Sequence, residues 1–254
     1  MRLQILDNIE PELAAAYEEA IITAREKGLT EDVISLWKHP KAVYMVYKGT
    51  VLGLDMEYLK TIDYPVSRSS VFIGKNGSLI IIGGTLGLAI TIGKDKFNGR
   101  TKEFADKFYN NYGIFIANKY GVNLENIKND LFVSGTEKKV GGCVFFQGED
   151  FYHGNSVFTL SKPEGVDMVK ILSPGGDGNL GVKITAIQDE CGITPLWEDI
   201  VNYTREYFLT IYPDMTEEVG LNNHEKGILD SVKEKHLSED WIKYGRIRAK
   251  PDFN

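Results

Sequence analysis

Cysteine is scarce in this sequence, which contains only Cys143 and Cys191 among its 254 residues. Two cysteines cannot form a disulfide framework, and no CxxC pair or clustered cysteine and histidine spacing predicts a structural metal site. Both side chains are therefore expected to be free thiols. Burial as an inert side chain is the simplest prediction for each of them.

Long apolar runs are absent too. No uninterrupted apolar stretch reaches the roughly 18 residues that a membrane-spanning helix requires. The opening residues, MRLQILDNIEPELAAAYEEA, lack the basic start and the small-residue cleavage site of a signal peptide. The sequence therefore predicts a cytoplasmic protein that has no membrane partner.

An excess of positive charge is also missing. The chain has 29 Lys and Arg residues against 36 Asp and Glu residues, a net charge of -7. Attraction to a phosphate backbone is therefore not a global property, and nucleic acid is a poor candidate partner. Neither GxGxxG between a strand and a helix nor GxxxxGK followed by Ser or Thr occurs, which argues against a Rossmann fold and a P-loop enzyme.

The spacing of apolar residues predicts helices near both ends of the chain and in its middle. Pro11 near the start of the first helix and Gly28 just after its end support that assignment. On the middle helix the aromatic side chains share one face, which a buried core explains more simply than a ligand site. The predicted helices span residues 10–27, 53–61, 100–120, 196–211 and 223–236.

Short runs of β-branched and aromatic residues between the helices predict strands. They span residues 33–37, 42–47, 71–92, 131–133, 139–146 and 156–160. The first two strands are expected to be hairpin partners or near neighbours. Glycines interrupt the 71–92 stretch, and either tight turns or close approach of a ligand to the backbone explains them. A glycine-rich loop is predicted at 173–181.

These elements predict a single domain, residues 1–254, of the α/β (α+β) class. Helices flank the strand-rich middle of the sequence, and strict β-α-β alternation is absent. We therefore expect mixed β-sheets flanked by helices. No internal repeat or flexible linker divides the chain.

The residues that could carry chemistry are densest between 129 and 155. Asp130 begins one predicted strand, Lys139 begins the next, and His153 lies in the loop after that strand. The three side chains could converge on one cleft. Gly142 beside Lys139 would let a ligand lie against bare backbone, and an ammonium group suits a carboxylate or phosphate oxygen. The alternative is that Lys139 belongs to a solvated turn and His153 to an ordinary loop.

Asn129-Asp130 followed by Lys139-Val140-Gly141-Gly142 resembles the signature of the lipoate-protein and biotin-protein ligase superfamily. Two further segments resemble the lipoate branch: YHGNSVFTL at 152–160 and DWIKYGRIRAKPDF at 240–253. The layout ISLWKHPKAVYMVYKGT, LDMEYLK, YPVSRSS near the start matches that branch as well. The resemblance therefore covers almost the whole chain and implies the biotin/lipoate protein ligase catalytic-domain fold.

The resemblance also implies an activity. A lipoate-protein ligase uses ATP and Mg²⁺ to convert lipoate or octanoate to acyl-AMP and transfers the acyl group to a lysine of a lipoyl carrier domain. The carrier would be the glycine cleavage carrier protein or the lipoyl domain of a 2-oxoacid dehydrogenase. Longer members have a small accessory domain after the tryptophan-containing segment. This chain ends at Asn254, so we expect that domain to be absent, and either a separate small protein supplies it or the chain catalyses only the transfer.

Site residues follow from the same resemblance. Lys139 is expected to be catalytic, Arg68 to hold nucleotide phosphates, and Asp130 to hold metal or ribose. The remaining residues expected to line the ligand pocket are Gly77, Ser78, Asn129, Gly142, His153 and Gly154. The glycine loop departs from the family pattern, because the stretch 71–76 separates Arg68 from Gly77.

Three other readings remain. An ATP-independent octanoyl or lipoyl transferase shares the fold and uses a cysteine nucleophile, for which Cys191 is the candidate. The acidic residues Asp189 and Glu190 beside it oppose formation of a thiolate. Biotin attachment is the second alternative, since the ND and K-V-G-G motifs are shared. The third is a non-catalytic binder that has kept the fold.

Overall fold

The structure is a computed structural model. It describes residues 1–47, 51, 54–70, 84–97, 100–164, 166–167, 170–171 and 183–245. Within these ranges no helix has the length and apolar character needed to cross a membrane.

The strands are β1 (Arg2–Leu6), β2 (Val33–Lys38), β3 (Val43–Met45), β4 (Val66–Arg68), β5 (Thr85–Gly93), β6 (Leu124–Ile127), β7 (Asp130–Val133), β8 (Lys138–Gln147), β9 (Phe151–Thr159), β10 (Lys183–Ile184) and β11 (Thr216–Val219). The helices are α1 (Ala14–Glu26), α2 (Met56–Thr61), α3 (Thr101–Ala105), α4 (Asn111–Lys119), α5 (Ile187–Cys191), α6 (Trp197–Ile211), α7 (Asn223–Leu237) and α8 (Glu239–Tyr244).

Nine of the described strands form one mixed sheet, which confirms the predicted fold class. The order is β11-β1-β2-β5-β9-β8-β7-β6, and β10 pairs with the first residues of β8. β1 is parallel to both of its neighbours, β11 and β2. From β2 onward each strand is antiparallel to the next one in this order. β3 and β4 form a separate parallel pair. Residues 33–37 and 42–47 do not form a hairpin, because β1 and β5 pair with the two edges of β2 and β3 pairs with β4. Trp37 and Tyr44 nevertheless belong to one apolar cluster.

The two faces of the large sheet pack against different helices, as β5 shows. Leu86, Leu88 and Ile90 alternate onto one face, where they meet the aromatic residues of α3 and α4 and the apolar side of α6. We call this the aromatic face. Ala89, between them, lies on the other face against α1, which we call the α1 face. Alternation with a period of two is what a strand covered on both faces requires.

Helix α1 lies close to the sheet because it is rich in alanine. Pro11 opens a turn of 3-10 helix before it, and Gly28, with φ +65°, follows its end. Ala20 and Ala24 pack against Ile228 of α7, so α7 forms an outer layer over α1. The predicted first helix is therefore confirmed.

Two other predictions need adjustment. The predicted helix at 100–120 is α3, a π-helical segment at Asp106–Asn110 and α4 in succession, and Phe104, Phe108 and Tyr112 lie in the core as expected. His153 was expected in a loop but lies within β9. Its backbone is paired on both sides, with Thr91 of β5 and Phe146 of β8.

Candidate functional site

A β-bulge decides which way Lys139 projects. Leu131 of β7 pairs with Gly141 of β8, but the next residue, Phe132, pairs with Lys139, so Val140 is an extra residue on β8. Val140 is buried in the aromatic face, and a Cβ on Gly141 would meet Phe158 of the same core. Two successive residues thus face that core. The bulge therefore puts Lys139 on the α1 face.

On the α1 face Lys139 meets Asp130 across a bare stretch of backbone. Lys139 Nζ lies 2.7 Å from Asp130 Oδ1, and the two side chains are 27% and 40% exposed. Gly142 lies directly beneath this pair. A Cβ at Gly142 would be 2.4 Å from Asp130 Oδ1 and 3.4 Å from Lys139 Cε, so only glycine leaves room for the ion pair.

Asn129 precedes Asp130 in a two-residue turn between β6 and β7. Lys128, the first residue of that turn, has φ +65°, a left-handed conformation that side chains other than Asn and Asp seldom adopt. The carbonyl oxygen of Asn129 accepts a hydrogen bond from Cys143 N at 3.0 Å, and the Asn129 side chain is exposed. The turn therefore fixes the position of Asp130 relative to β8.

A cross-strand row on the α1 face connects this pair with the centre of the sheet. Trp37 pairs with Gly87, Gly87 with Val157, Val157 with Gly142, and Gly142 with Asp130. A Cβ on Gly87 would lie 2.3 Å from the Trp37 ring. The Trp37 ring and the Lys139–Asp130 pair therefore occupy the space over these two glycines. An apolar hollow adjoins it on the α1 side, and Trp37 is among its lining residues.

His153 belongs to a buried polar cluster further along the α1 face. Glu18 of α1 accepts hydrogen bonds from the Tyr44 hydroxyl and from Asn155 Nδ2, the latter at 2.7 Å. His153 Nε2 lies 3.5 Å from Glu18 Oε1, and Nδ1 lies 2.8 Å from Thr91 Oγ1. His153 is 0% exposed. Its surroundings therefore hold the imidazole ring in place.

The structure does not bring His153 to the Lys139 ion pair. His153 is opposite Phe146, whereas Val157 is opposite Gly142, which lies under the ion pair. Four residues along β9 correspond to roughly 13 Å. Lys139 and Asp130 meet as the sequence suggested, and His153 shares only their face of the sheet.

Arg68 makes hydrogen bonds to backbone carbonyl groups. Its Nη1 donates to Tyr47 O at 2.6 Å, Nε and Nη2 donate to Ile242 O at 3.0 and 2.7 Å, and Nη2 lies 3.3 Å from Lys243 O. The side chain is 1% exposed. Arg68 thus secures α8 to β4, and holding a phosphate would require it to give up some of these bonds.

The glycines expected in the site differ in what they do. A Cβ on Gly154 would be 2.7 Å from the Tyr109 hydroxyl oxygen and 2.8 Å from the Phe145 ring. Tyr109, which donates to Gly154 O at 2.5 Å, fills that space, so Gly154 opens no room for a ligand. The predictions for Gly77 and Ser78 lie outside the described residues.

Comparison with solved structures shows which fold this is. A bi-partite lipoate protein ligase from Thermoplasma acidophilum, studied with its E2 lipoyl domain, superposes with a TM-score of 0.78 at 15% identity, covering 99% of both chains. A T. acidophilum protein with bound lipoic acid gives 0.75 at 16% identity, covering 95% of this chain and 98% of that one. Lipoate-protein ligase A bound with ATP gives 0.73 at 15% identity, with the same coverage of 95% and 98%.

The chain has the lipoate-protein ligase fold. No sequence-family model and no curated protein sequence matches it. At this low identity the likeness concerns the fold, so the chemistry has to be argued from the residues of this chain. The lipoate-ligase fold is nevertheless what the motifs at 129–142 and 152–160 predicted.

On this lipoate-ligase fold both cysteines pack against the aromatic core, on the face opposite the Lys139 pair. Cys191 ends α5, where its Sγ contacts Ile193 N at 3.4 Å. Cys143 projects onto the aromatic face, and burial raises the pKa of its thiol. Burial therefore makes Cys143 a poor nucleophile.

Sequence reasoning missed two parts of this face. Glu18 sits among buried residues on the inner side of α1, and a carboxylate at an apolar position of a helix was the available signal. Trp37 was identified as a strand residue, but its ring position depends on Gly87, far along the chain. Periodicity alone could not show that contact.

Proposed function

We propose that this chain is a lipoate-protein ligase, which activates lipoate or octanoate with ATP and transfers the acyl group to a lysine of a lipoyl carrier domain. One observation carries the proposal. The ammonium group of Lys139 lies over Gly142, beside the carboxylate of Asp130, where only glycine leaves room for the pair. A cation held over bare backbone can contact the oxygen atoms of an activated acid.

The chemistry needs a cation at that place. In the first step a carboxylate oxygen bonds to the α-phosphorus of ATP and pyrophosphate leaves, which gives the acyl-adenylate. In the second step the neutral amine of a carrier lysine attacks the acyl carbon, AMP leaves and the new amide loses the proton of the amine. Negative charge builds on oxygen in both steps. A fixed ammonium group stabilises it more in the transition state than in the ground state.

Asp130 fits a metal role only in part. Among the described residues, no three His, Cys, Asp or Glu side chains form a metal-binding group. Mg²⁺ is commonly held by one or two carboxylates while substrate phosphates supply the other ligands. A half-exposed carboxylate such as that of Asp130 fits Mg²⁺ that enters with ATP, where the ion neutralises phosphate charge. Asn129 is the neighbouring side chain that could contact ribose or phosphate.

Proteins of the same fold support the choice of ligands. One contains lipoic acid, one contains ATP, and one was studied with its E2 lipoyl domain. We infer that lipoate, ATP and a lipoyl carrier domain are also the ligands and partner of this chain. Arg68, Gly77, Ser78 and His153 remain predicted contributors to the ligand pocket.

The test is to incubate the purified chain with a lipoyl carrier domain and lipoate or octanoate, with and without ATP, and to measure the mass of the carrier. The proposal predicts an added acyl group only when ATP is present. Acylation from an acylated donor protein without ATP would favour the transferase. No acylation under any condition, together with no heat of binding for ATP or lipoate, would favour a non-catalytic binder.

A second assay separates the two half-reactions. Exchange of labelled pyrophosphate into ATP reports formation of the adenylate without a carrier. Exchange by the chain alone would show that adenylation needs no separate accessory protein. Carrier acylation from supplied lipoyl-AMP, without exchange, would show that a partner completes the first step.

A further inference from the structure

His39 presents a buried N–H group that lacks a hydrogen-bond partner among the described residues. The residue follows β2 and is 5% exposed. The indole N–H of Trp37, which can only donate, lies 3.3 Å from His39 Nδ1. Nδ1 is therefore the acceptor, and the proton of the neutral ring is on Nε2. Burial lowers the pKa of His39 to about 3, so the ring stays neutral and Nε2 stays a donor.

Thr85 supplies a second unpartnered polar group next to it. His39 N donates to Thr85 O at 2.9 Å, so the two residues lie opposite each other on adjacent strands. Thr85 is also 5% exposed. Within the described part of the chain, neither His39 Nε2 nor Thr85 Oγ1 has a hydrogen-bond partner. Leaving buried polar groups unpaired is costly, and such groups call for an explanation.

Both side chains lie on the α1 face, at the end of the sheet that carries Lys139. Trp37 is two residues before His39, and Gly87, which contacts the Trp37 ring, is two residues after Thr85. Thr85 pairs with Thr159 of β9. Val157, two residues before Thr159 on the same strand, pairs with Gly142. The His39–Thr85 pair therefore lies next to the row that ends at the ion pair.

We propose that His39 and Thr85 bind a carboxylate oxygen of the acyl substrate. The inference rests on the proposed function and deepens it by naming the subsite for the reacting end of the acid. A fixed N–H donor and a hydroxyl group together require a ligand atom that accepts hydrogen bonds. A small apolar hollow lined by Trp37, Ile21 and Ala89 adjoins the same row on the α1 face.

The order of polar and apolar residues along β5 fits a medium-chain acid. From Thr85, the next residues on the α1 face are Gly87, which the Trp37 ring covers, and Ala89, which belongs to the apolar cluster, so the strand changes from polar to apolar. A medium-chain acid has the same order of groups from its carboxylate to its tail. Lys139 would then meet the activated carboxylate from the side, across Val157 and Gly142.

The test compares Thr85→Val and His39→Phe with the wild-type chain in binding and in turnover. Thr85→Val removes one hydroxyl group at nearly constant volume and breaks no bond within the described structure. Calorimetric titration with octanoate, without ATP, gives the dissociation constant of the acid directly. We expect it to rise about tenfold or more in each variant, since a hydrogen bond to a charged group is lost. The KM for ATP should change by less than about threefold.

The matched controls are Thr216→Val, on the exposed edge strand β11, and His224→Phe, on the exposed side of α7. They should leave the dissociation constant of octanoate and the KM for ATP unchanged. Equal binding of octanoate by wild type, Thr85→Val and His39→Phe would overturn the inference, as would the absence of octanoate binding by the wild type. A chain that binds octanoate through these residues but acylates no carrier would refute the proposed function and leave this subsite standing. A melting temperature of Thr85→Val at or above that of the wild type is expected, because the hydroxyl has no protein partner to lose.

Discussion

Val140 and Gly141 are consecutive residues of β8, yet both face the aromatic core, so Lys139 and Gly142 on either side of them face the opposite side of the sheet. Val140 is 1% exposed in the aromatic core, whereas Lys139 Nζ is 2.7 Å from Asp130 Oδ1 on the α1 face. In a regular strand Lys139 and Gly142, three residues apart, would face opposite sides. The bulge at Val140 lets them share one.

Gly142→Ala should impair activity by separating the ion pair. The added Cβ would lie 2.4 Å from Asp130 Oδ1, so Asp130 must move away from Lys139. We expect the rate of carrier acylation to fall at least tenfold while the circular dichroism spectrum stays native. A Gly142→Ala chain with full activity would mean that the Lys139–Asp130 contact has no role in turnover.

Gly227→Ala is the control for that substitution and a prediction about stability. Gly227 lies inside α7, and a Cβ there would have nothing within 4 Å. Alanine in a helix interior is favoured over glycine by roughly 0.5–1 kcal/mol. Urea unfolding should therefore show a gain of that size, with unchanged acylation. A loss of stability would mean that α7 is not helical around this residue.

Glu19 should make the fold sensitive to acid. It accepts hydrogen bonds from Lys235 and His236 of α7. Burial alone would raise the pKa of Glu19, but the hydrogen bonds from His236 and Lys235 outweigh burial and lower it from 4.5 to about 2. A carboxyl group whose pKa is lower in the folded chain than in the unfolded chain stabilises the fold at pH values above its unfolded pKa. Its contribution is lost as the pH falls from about 4.5 to 2.

The measurement is the free energy of unfolding in urea at pH 7 and at pH 3, for wild type and Glu19→Gln. The wild type should lose more stability between these values than the variant does. Glu10→Gln, which alters an exposed carboxylate facing Lys233, is the control and should behave like the wild type. An identical acid response of wild type and Glu19→Gln would refute the role of the Glu19 contacts.

Cys191→Ser should leave acylation unchanged. Cys191 ends α5, and the two lysines near it, Lys162 and Lys138, are paired with the Asp189 and Glu190 carboxylates rather than with the thiol. Treatment of the wild type with iodoacetamide should likewise have little effect on ATP-dependent acylation. A Cys191→Ser chain that transfers no acyl group would instead support the cysteine-dependent transferase.

The sequence predicted the helices best, since each of the longer ones buries one continuous face. α6 and α7 were found nearly to the residue for that reason. β1 was missed because Arg2 and Gln4 look like surface positions, but both are buried against Glu225 of α7. A contact with a residue so distant in the sequence leaves no periodic signal.

The candidate site was predicted in part. The motif residues Asp130, Lys139 and Gly142 do come together, because they lie on neighbouring strands of one hairpin. His153 was placed in the loop after the predicted strand 139–146, but it lies within β9, which pairs with β5 and β8 on its two sides. The direction of Lys139 depends on a bulge that only the register of β7 reveals.

The most direct test of the account is the rate of ATP-dependent carrier acylation by Lys139→Ala, measured by mass spectrometry beside Lys138→Ala. Lys138 is the adjacent lysine. Its Nζ lies 3.0 Å from Glu190 Oε1, so it pairs with a different carboxylate from Lys139. Loss of a transition-state cation costs roughly 3 to 4 kcal/mol, or about 10²- to 10³-fold in rate. We expect that loss for Lys139→Ala, with native unfolding behaviour, and less than about twofold for Lys138→Ala. Equal rates for Lys139→Ala and wild type would contradict the account.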